Sequence, residues 1–114
     1  MKAKPFKFDG VSTYTPCEPK EATHISLRLP CDCYALMLPV LVGNQTRFGT
    51  PNWNWNGDTE KPTVRPSVLT RGGELGFCCH SWITDGVMQF LGDTTGKGHE
   101  GLGNTSKPLI EHET

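Results

Sequence analysis

Glycine and proline divide this chain into short segments. The 114 residues include 13 glycines and 9 prolines, and these two residue types interrupt helices more severely than any others. Long helices are therefore not expected. The length suffices for one domain with a modest core. The predicted fold is an all-β domain of short, mainly antiparallel strands and hairpins joined by long loops.

The clearest strand pair is a hairpin within residues 77–90. Two apolar runs flank Thr84-Asp85-Gly86, and Asp-Gly between apolar runs is a strong signal for a tight hairpin turn. Gly86 tolerates the positive φ that such a turn requires. The first strand of this hairpin also carries two thiols and an imidazole in consecutive positions, so it is a candidate for half of a metal site.

Alternating or continuous apolar patterns predict further strands. They fall within residues 24–29, 34–42, 52–56 and 107–110. Residues 61–69 contain two prolines, which remove donors from a strand ladder, so an edge strand or an extended segment is predicted there. The whole is expected to divide into an extended N-terminal arm (1–23), one β-rich metal-binding domain (24–110) and a frayed tail (111–114).

Charge and hydropathy argue against two classes of partner. The net charge is −1 with scattered Lys and Arg, so a nucleic-acid partner is not expected. No apolar run approaches the about 20 residues that span a bilayer, so no membrane partner is expected either. Five cysteines are an odd number, and disulfides are rare in the cytosol. A soluble cytoplasmic protein with metal-bound or buried thiols is therefore expected.

Two pairs of soft ligands stand at a spacing of two residues. Cys31-x-Cys33 and Cys78-x-His80 would each point to one face of a strand, and two facing strands would then complete a tetrahedral zinc site. Alternation alone favours Cys78 over Cys79, whereas a bulge would make Cys79 the ligand. The alternative is that these cysteines are small buried hydrophobic residues.

A glycine-rich segment at 92–101 follows the hairpin. It is too rich in glycine for a helix and is predicted to be a long functional or flexible loop. Asp93 and His99 lie in it, close enough for one to orient the other or for both to approach the metal. The alternative is a turn aspartate and a solvated histidine. No Gly-x-Ser-x-Gly, P-loop or His-Glu-x-x-His motif is present.

Three sequence blocks together resemble a family of small phage and bacterial proteins catalogued as a domain of unknown function. The resemblance covers roughly residues 25–110, and the blocks are specific in combination. They are Trp53-Asn54-Trp55-Asn56-Gly57-Asp58, Lys61-Pro62-Thr63-x-x-Pro66-Ser67-Val68 and Cys79-His80-Ser81-Trp82-Ile83-x-Asp85-Gly86. The chain departs from the family pattern at Leu29, where some relatives have a cysteine, and at an insertion, Gly96–Gly98, before His99.

The resemblance implies a phage or bacterial origin, a cytoplasmic location in the bacterial cell and a Cys/His metal site. It places the ligand at Cys79 beside His80, and some relatives resemble accessory members of bacterial ubiquitin-like conjugation operons. The expected cofactor is zinc and the expected partner is a protein. The predicted ligand set is Cys31, Cys33, Cys79 and His80, with Cys78 and His99 as rival ligands.

Three functions are compatible with these features. The leading hypothesis is a small zinc-binding β domain that acts as an accessory or protein-interaction module. The strand of Trp53 and Trp55 would be its contact surface if it is exposed; the alternative is that the two indoles cover a core or groove. The second is a zinc-dependent hydrolase of peptide or isopeptide bonds, with Asp93 or His99 as general base for a metal-bound water. The third is a metal-free phage virion or host-inhibitor protein.

Overall fold

A computed structural model describes residues 1–31, 33, 35–43, 51–72, 76, 78–96 and 98–112. Of the predicted features, Tyr34, Phe77, Lys97 and residues 113–114 lie outside this part. The described residues form strands, turns and loops, with one 3-10 turn at Pro19–Glu21, which confirms the all-β prediction. The strands are β1 (Ala3–Phe8), β2 (Tyr14–Pro16), β3 (His24–Arg28), β4 (Ala35–Val42), β5 (Trp53–Trp55), β6 (Val64–Arg71), β7 (Cys78–Thr84), β8 (Val87–Phe90) and β9 (Ser106–Pro108).

The described strands form one sheet in the order β2-β1-β3-β4-β5-β6-β7-β8-β9. Neighbours are antiparallel except β4 and β5, which are parallel. Residues 1–23, expected as an extended arm, contribute β1 and β2 to this sheet. Just after β9, Ile110 bridges to Arg28 of β3, so the sheet curls until its last strand approaches the third. Among the described residues, no helix is long and apolar enough to cross a membrane.

Alternating side chains of the curled sheet form the core. In β7, for example, Cys79, Ser81 and Ile83 are buried while their neighbours are more exposed, as the period of two along a strand requires. Burial of each large apolar side chain stabilises the fold by about 1.5–3 kcal/mol. The largest fully buried apolar side chains are Phe90, Ile25, Leu27, Ile83, Met88, Val40 and Val64.

The predicted hairpin is present as β7 and β8. Thr84 pairs with Val87, so Asp85 and Gly86 form a two-residue turn. Both have positive φ, 51° for Asp85 and 77° for Gly86, which is the requirement of a type I′ turn. This local signal fixes the register of the two strands.

β6 is an edge strand over part of its length only. It pairs with β5 through Val64 and Arg65, and its register against β7 then shifts before Val68. Such a shift marks a bulge, which bends a strand and redirects its side chains. From Val68 to Arg71, β6 has β7 on one side and no strand of the described residues on the other. The segment predicted as an edge strand or extended segment, residues 61–69, overlaps this second half only at Val68 and Leu69, and its prolines lie before it, next to the pairing with β5.

Candidate active site and metal centre

Ser67, His80 and Asp93 form a line of hydrogen bonds across the outer face of the sheet. Ser67 Oγ lies 2.9 Å from His80 Nε2. On the other side of the ring, His80 Nδ1 lies 2.9 Å and 3.1 Å from the two carboxylate oxygens of Asp93. A hydroxyl, an imidazole and a carboxylate in this order form the constellation of the serine hydrolases.

Hydrogen-bond chemistry assigns a direction to each contact. The ionised Asp93 carboxylate has acceptors only, so His80 Nδ1 carries a proton and donates it. In neutral imidazole, Nε2 then has the free lone pair and accepts the hydroxyl hydrogen of Ser67. This is the arrangement in which the imidazole takes the proton of an attacking serine.

The backbone of β7 holds His80 against the segment that carries Asp93. Thr94 Oγ1 accepts from His80 N at 3.1 Å and donates to His80 O at 2.9 Å. The amide of Leu91 donates to the same His80 carbonyl at 2.8 Å, and the amide of Thr94 donates to Leu91 O at 3.0 Å. Residues 91–94 are thus a turn fixed to β7, and Asp93 reaches the ring from it.

The candidate active site is open to solvent. The side chain of His80 is 26% exposed and that of Asp93 62% exposed, and Ser67 is half-buried. The Trp53 indole donates to the Ser67 carbonyl at 3.2 Å, and this hydrogen bond connects β6, which carries Ser67, to β5. An open site of this kind can admit a large substrate such as a folded protein.

A second cluster lies on the other side of β7. The ligand atoms of Cys31, Cys33, Cys79 and His99 all lie within 4.8 Å of one another. Cys31 Sγ is 4.0 Å from Cys79 Sγ, and Cys33 Sγ is 3.3 Å from His99 Nε2. In a tetrahedral site with Zn–S bonds of about 2.3 Å, the sulfurs stand about 3.8 Å apart. Three thiols and one imidazole at these distances fit a zinc ion.

The thiols of this cluster differ in acidity. A hydrogen bond from Cys79 lowers the pKa of Cys31 to about 5, and the backbone of Cys33 and the ring of His99 act in the same direction against burial. The same hydrogen bond, together with burial, raises the pKa of Cys79. One thiolate is therefore favoured at Cys31, and the thiolate is the form that binds metal.

The two clusters face opposite sides of one strand. Cys79 is 1% exposed and points into the core, whereas its neighbour His80 points outward beside Ser67. Successive side chains on a strand alternate between faces. His99 is fully buried and lies with the thiols. A metal held there would be separated from the Ser67 hydroxyl by the strand itself.

The structure brings three of the predicted ligands together. Cys31, Cys33 and Cys79 lie in one cluster, and the fourth member is His99 rather than His80. Cys78, which alternation favoured, is half-buried, and its backbone exchanges hydrogen bonds with Thr95 at 2.7 and 2.8 Å. Cys79 therefore reaches the cluster without a bulge in β7, because Cys31 and Cys33 lie on the core side of the strand.

The remaining predicted residues lie elsewhere. His80 and Asp93 pair with each other, and Ser67, which sequence reasoning did not single out, completes their line. Trp55 is 3% exposed and Trp53 is half-buried, so the two indoles pack in or against the core rather than form an exposed contact surface. The available signal for Ser67 was its place in the second of the three blocks, with His80 in the third and Asp93 shortly after it.

Comparison with known proteins gives a family but no closer relative. Neither a curated protein nor a solved structure matches the chain significantly. A family model described as bacterial ubiquitination-like system serine protease (BubE) matches residues 4–91. The match contains Ser67 and His80 and ends just before Asp93, and it confirms the expected link to bacterial ubiquitin-like systems. Because it covers most of the 114 residues, the chain belongs to the BubE family of bacterial ubiquitination-like system serine proteases.

Proposed function

We propose that this protein is a serine protease that cleaves a peptide or isopeptide bond in a bacterial ubiquitin-like system. In this proposal Ser67 is the nucleophile, His80 the general base and acid, and Asp93 the residue that orients His80. The observation that carries the proposal is the pair of 2.9 Å contacts that joins the hydroxyl to the imidazole and the imidazole to the carboxylate. The family description supports it independently.

Acylation follows from these contacts. Ser67 Oγ attacks the carbonyl carbon of the scissile amide while His80 Nε2 takes the hydroxyl proton, and the Asp93 carboxylate stabilises the imidazolium that forms. The imidazolium then gives this proton to the departing nitrogen. The C–N bond breaks, the amine leaves and an ester joins the acyl group to Ser67.

Deacylation reverses these roles with water. His80 Nε2 takes a proton from a water molecule, whose oxygen attacks the ester carbonyl, and returns that proton to Ser67 Oγ as the C–O bond breaks. A carboxylic acid is released and the hydroxyl is restored. No step requires the metal cluster, which lies across the strand from the reacting atoms.

We further propose that Cys31, Cys33, Cys79 and His99 hold a structural zinc. Four protein ligands of the Cys₃His type are typical of closed structural sites, whereas catalytic zinc keeps an open position. Bound zinc would cross-link the loop before β4 to β7 and to the segment after β8. Hydrolysis by Ser67 is therefore favoured over hydrolysis by a metal-bound water. Reduced thiol ligands also favour the bacterial cytoplasm as the location.

A fluorophosphonate probe tests the proposed nucleophile. Intact-mass and peptide mass spectrometry should find one phosphonyl group per chain, located at Ser67, because an activated serine reacts with the probe much faster than ordinary hydroxyl groups. Ser67→Ala should abolish the modification, and Ser106→Ala, which changes an exposed serine of β9, should keep it. Labelling that survives Ser67→Ala would refute the assignment. The corresponding substrate test is cleavage of the host's ubiquitin-like protein fused at its C-terminus to a reporter.

A zinc-dependent interaction module is the second candidate function. The Cys/His cluster supports an interaction module, because a β domain cross-linked by a bound metal can bind a protein partner without catalysis. This function predicts about one zinc per chain and no reaction with fluorophosphonate. Elemental mass spectrometry and the labelling experiment on the same preparation separate the two candidates.

A further inference from the structure

The second half of β6 directs backbone hydrogen-bonding groups away from the sheet. In an antiparallel ladder, opposed residues alternate between pairs that bond to each other and pairs whose N–H and C=O groups point outward. Leu69 stands opposite His80. The N–H of His80 donates to Thr94 Oγ1, and its C=O accepts from the amide of Leu91; both groups therefore point away from β6. Leu69 therefore points its N–H and C=O away from β7.

Arg71 repeats this geometry two residues later. It stands opposite Cys78, whose N–H and C=O both bond to Thr95 on the far side of β7. The N–H and C=O of Arg71 consequently point the same way as those of Leu69. Within the described part of the chain, no residue bonds to these outward groups. They form a free edge, which we call the β6 edge and define by Leu69 and Arg71.

The β6 edge continues directly from the candidate nucleophile. Ser67 lies two residues before Leu69, about 7 Å along a strand, and its carbonyl accepts the Trp53 indole. The free positions therefore begin at the first alternate residue after Ser67. Unpaired strand edges are templates for added strands, and proteins that bind extended peptides use them in this way.

We propose that an extended segment of the polypeptide substrate pairs with the β6 edge as an added strand and brings its scissile carbonyl to Ser67. This inference rests on the proposed protease function. It assigns the substrate a chemical class, an unfolded tail or exposed loop whose backbone can adopt the β conformation. The side chain of Leu69 is 46% exposed and lies on the same face as His80, so it adds an apolar contact for one substrate side chain.

Phosphonate probes of two sizes test the proposal. The small probe is an alkyl fluorophosphonate. The large probe is a mixed set of tetrapeptidyl diphenyl phosphonates, and further versions of this set carry a methyl group on one amide nitrogen, with each amide methylated in turn. Mass spectrometry measures the second-order rate of Ser67 modification. We expect N-methylation to slow the reaction about three- to tenfold at alternate amides, the loss of one backbone hydrogen bond, and to be tolerated at the amides between them.

Two variants at one position separate backbone from side chain. Leu69→Pro removes the outward N–H, and it is compatible with an edge strand because that N–H is not part of the β6–β7 ladder. Leu69→Ala keeps the N–H and removes the side chain. The ratio of the peptidyl rate to the small-probe rate should be about three- to tenfold lower in Leu69→Pro than in Leu69→Ala. Circular dichroism confirms that both variants are folded.

The outcomes distinguish the two levels of the proposal. If no probe modifies Ser67, the protease function fails and the edge inference falls with it. If both probe sizes modify Ser67 but N-methylation shows no alternation, or the two variants have equal ratios, the protease function stands and the edge inference is overturned. A wild-type dimer that Leu69→Pro converts to a monomer would instead assign the edge to a second copy of the chain.

Discussion

Asp93→Asn is the change that most directly tests how His80 is oriented. The substitution keeps the size of the side chain and removes its charge. An amide can still accept from His80 Nδ1 through its oxygen, but it can also donate through its nitrogen, which would favour the tautomer that leaves Nε2 protonated and unable to accept the proton of Ser67. The variant therefore loses charge stabilisation of the imidazolium and part of the correct tautomer.

The size of the effect follows from exposure. A unit charge pair about 4 Å apart is worth about 1 kcal/mol in water and about 4 kcal/mol at the effective dielectric of a protein surface. Asp93 is 62% exposed and His80 26% exposed, so solvent screening discounts the upper figure. At about 1.4 kcal/mol per factor of ten, the two undiscounted energies correspond to about 5-fold and about 1000-fold, so the expected loss of rate is more than about 5-fold and well below about 1000-fold. In a buried triad the same change costs about 10⁴-fold.

The assay is the rate of fluorophosphonate modification of Ser67 at neutral pH. Asp85→Asn is the matched control because it makes the same chemical change at an exposed turn position, and asparagine tolerates the positive φ found there. It should keep the wild-type rate within twofold. A rate within twofold for Asp93→Asn as well would refute the role of Asp93. A loss equal to that of Ser67→Ala would refute the estimate from screening.

Three further predictions concern the metal, the core and the turn. Cys79→Ser should lower the zinc content measured by elemental mass spectrometry from about one per chain to near zero. Cys17→Ser changes a cysteine outside the cluster and should keep the wild-type zinc content. An equal loss of zinc in both variants would contradict the ligand assignment. Phe90→Ala removes a fully buried ring and should cost about 3–5 kcal/mol in chemical unfolding; a cost below 1 kcal/mol would contradict its core position. Thr94→Val removes the two hydrogen bonds between the Thr94 hydroxyl and the backbone of His80. In protein that is still folded, it should lower the rate of fluorophosphonate modification severalfold. An unchanged rate in folded protein would show that the turn does not position the site.

Short sequence patterns predicted those features of the fold that depend on a few neighbouring residues, such as the hairpin turn. The Asp85-Gly86 turn requires positive φ at two successive positions, and few residue pairs supply it, so the hairpin was visible in the sequence. Cys31 and Cys33 were candidates because two thiols at a spacing of two residues point to one face of a strand, although burial of both as small hydrophobic residues was the alternative. His99 was named only as a rival ligand, because its distance from the thiols depends on how the chain after β8 returns to β7, which no short-range pattern encodes.

Ser67 was missed for a different physical reason. A nucleophilic serine is recognised in sequence when a sharp turn with fixed glycines exposes it, and here the hydroxyl projects from a strand instead. The chain order is Ser67, His80, Asp93, which differs from the orders of the chymotrypsin, subtilisin and α/β-hydrolase types. Only pairing of β6 with β7, and of β7 with the turn after β8, brings the three side chains together.

The placement of the two clusters on one strand would explain how so small a domain can keep the candidate active site open. An exposed triad gains little rigidity from packing, because His80 and Asp93 are partly solvated. The metal ligands on the inner face are close in sequence to the residues of the candidate active site. Cys79 directly precedes His80, and His99 lies six residues after Asp93. Zinc bound there would fix both the strand of the base and the segment of the carboxylate. The outer face would then need no covering layer, which the proposed cleavage of a protein substrate requires.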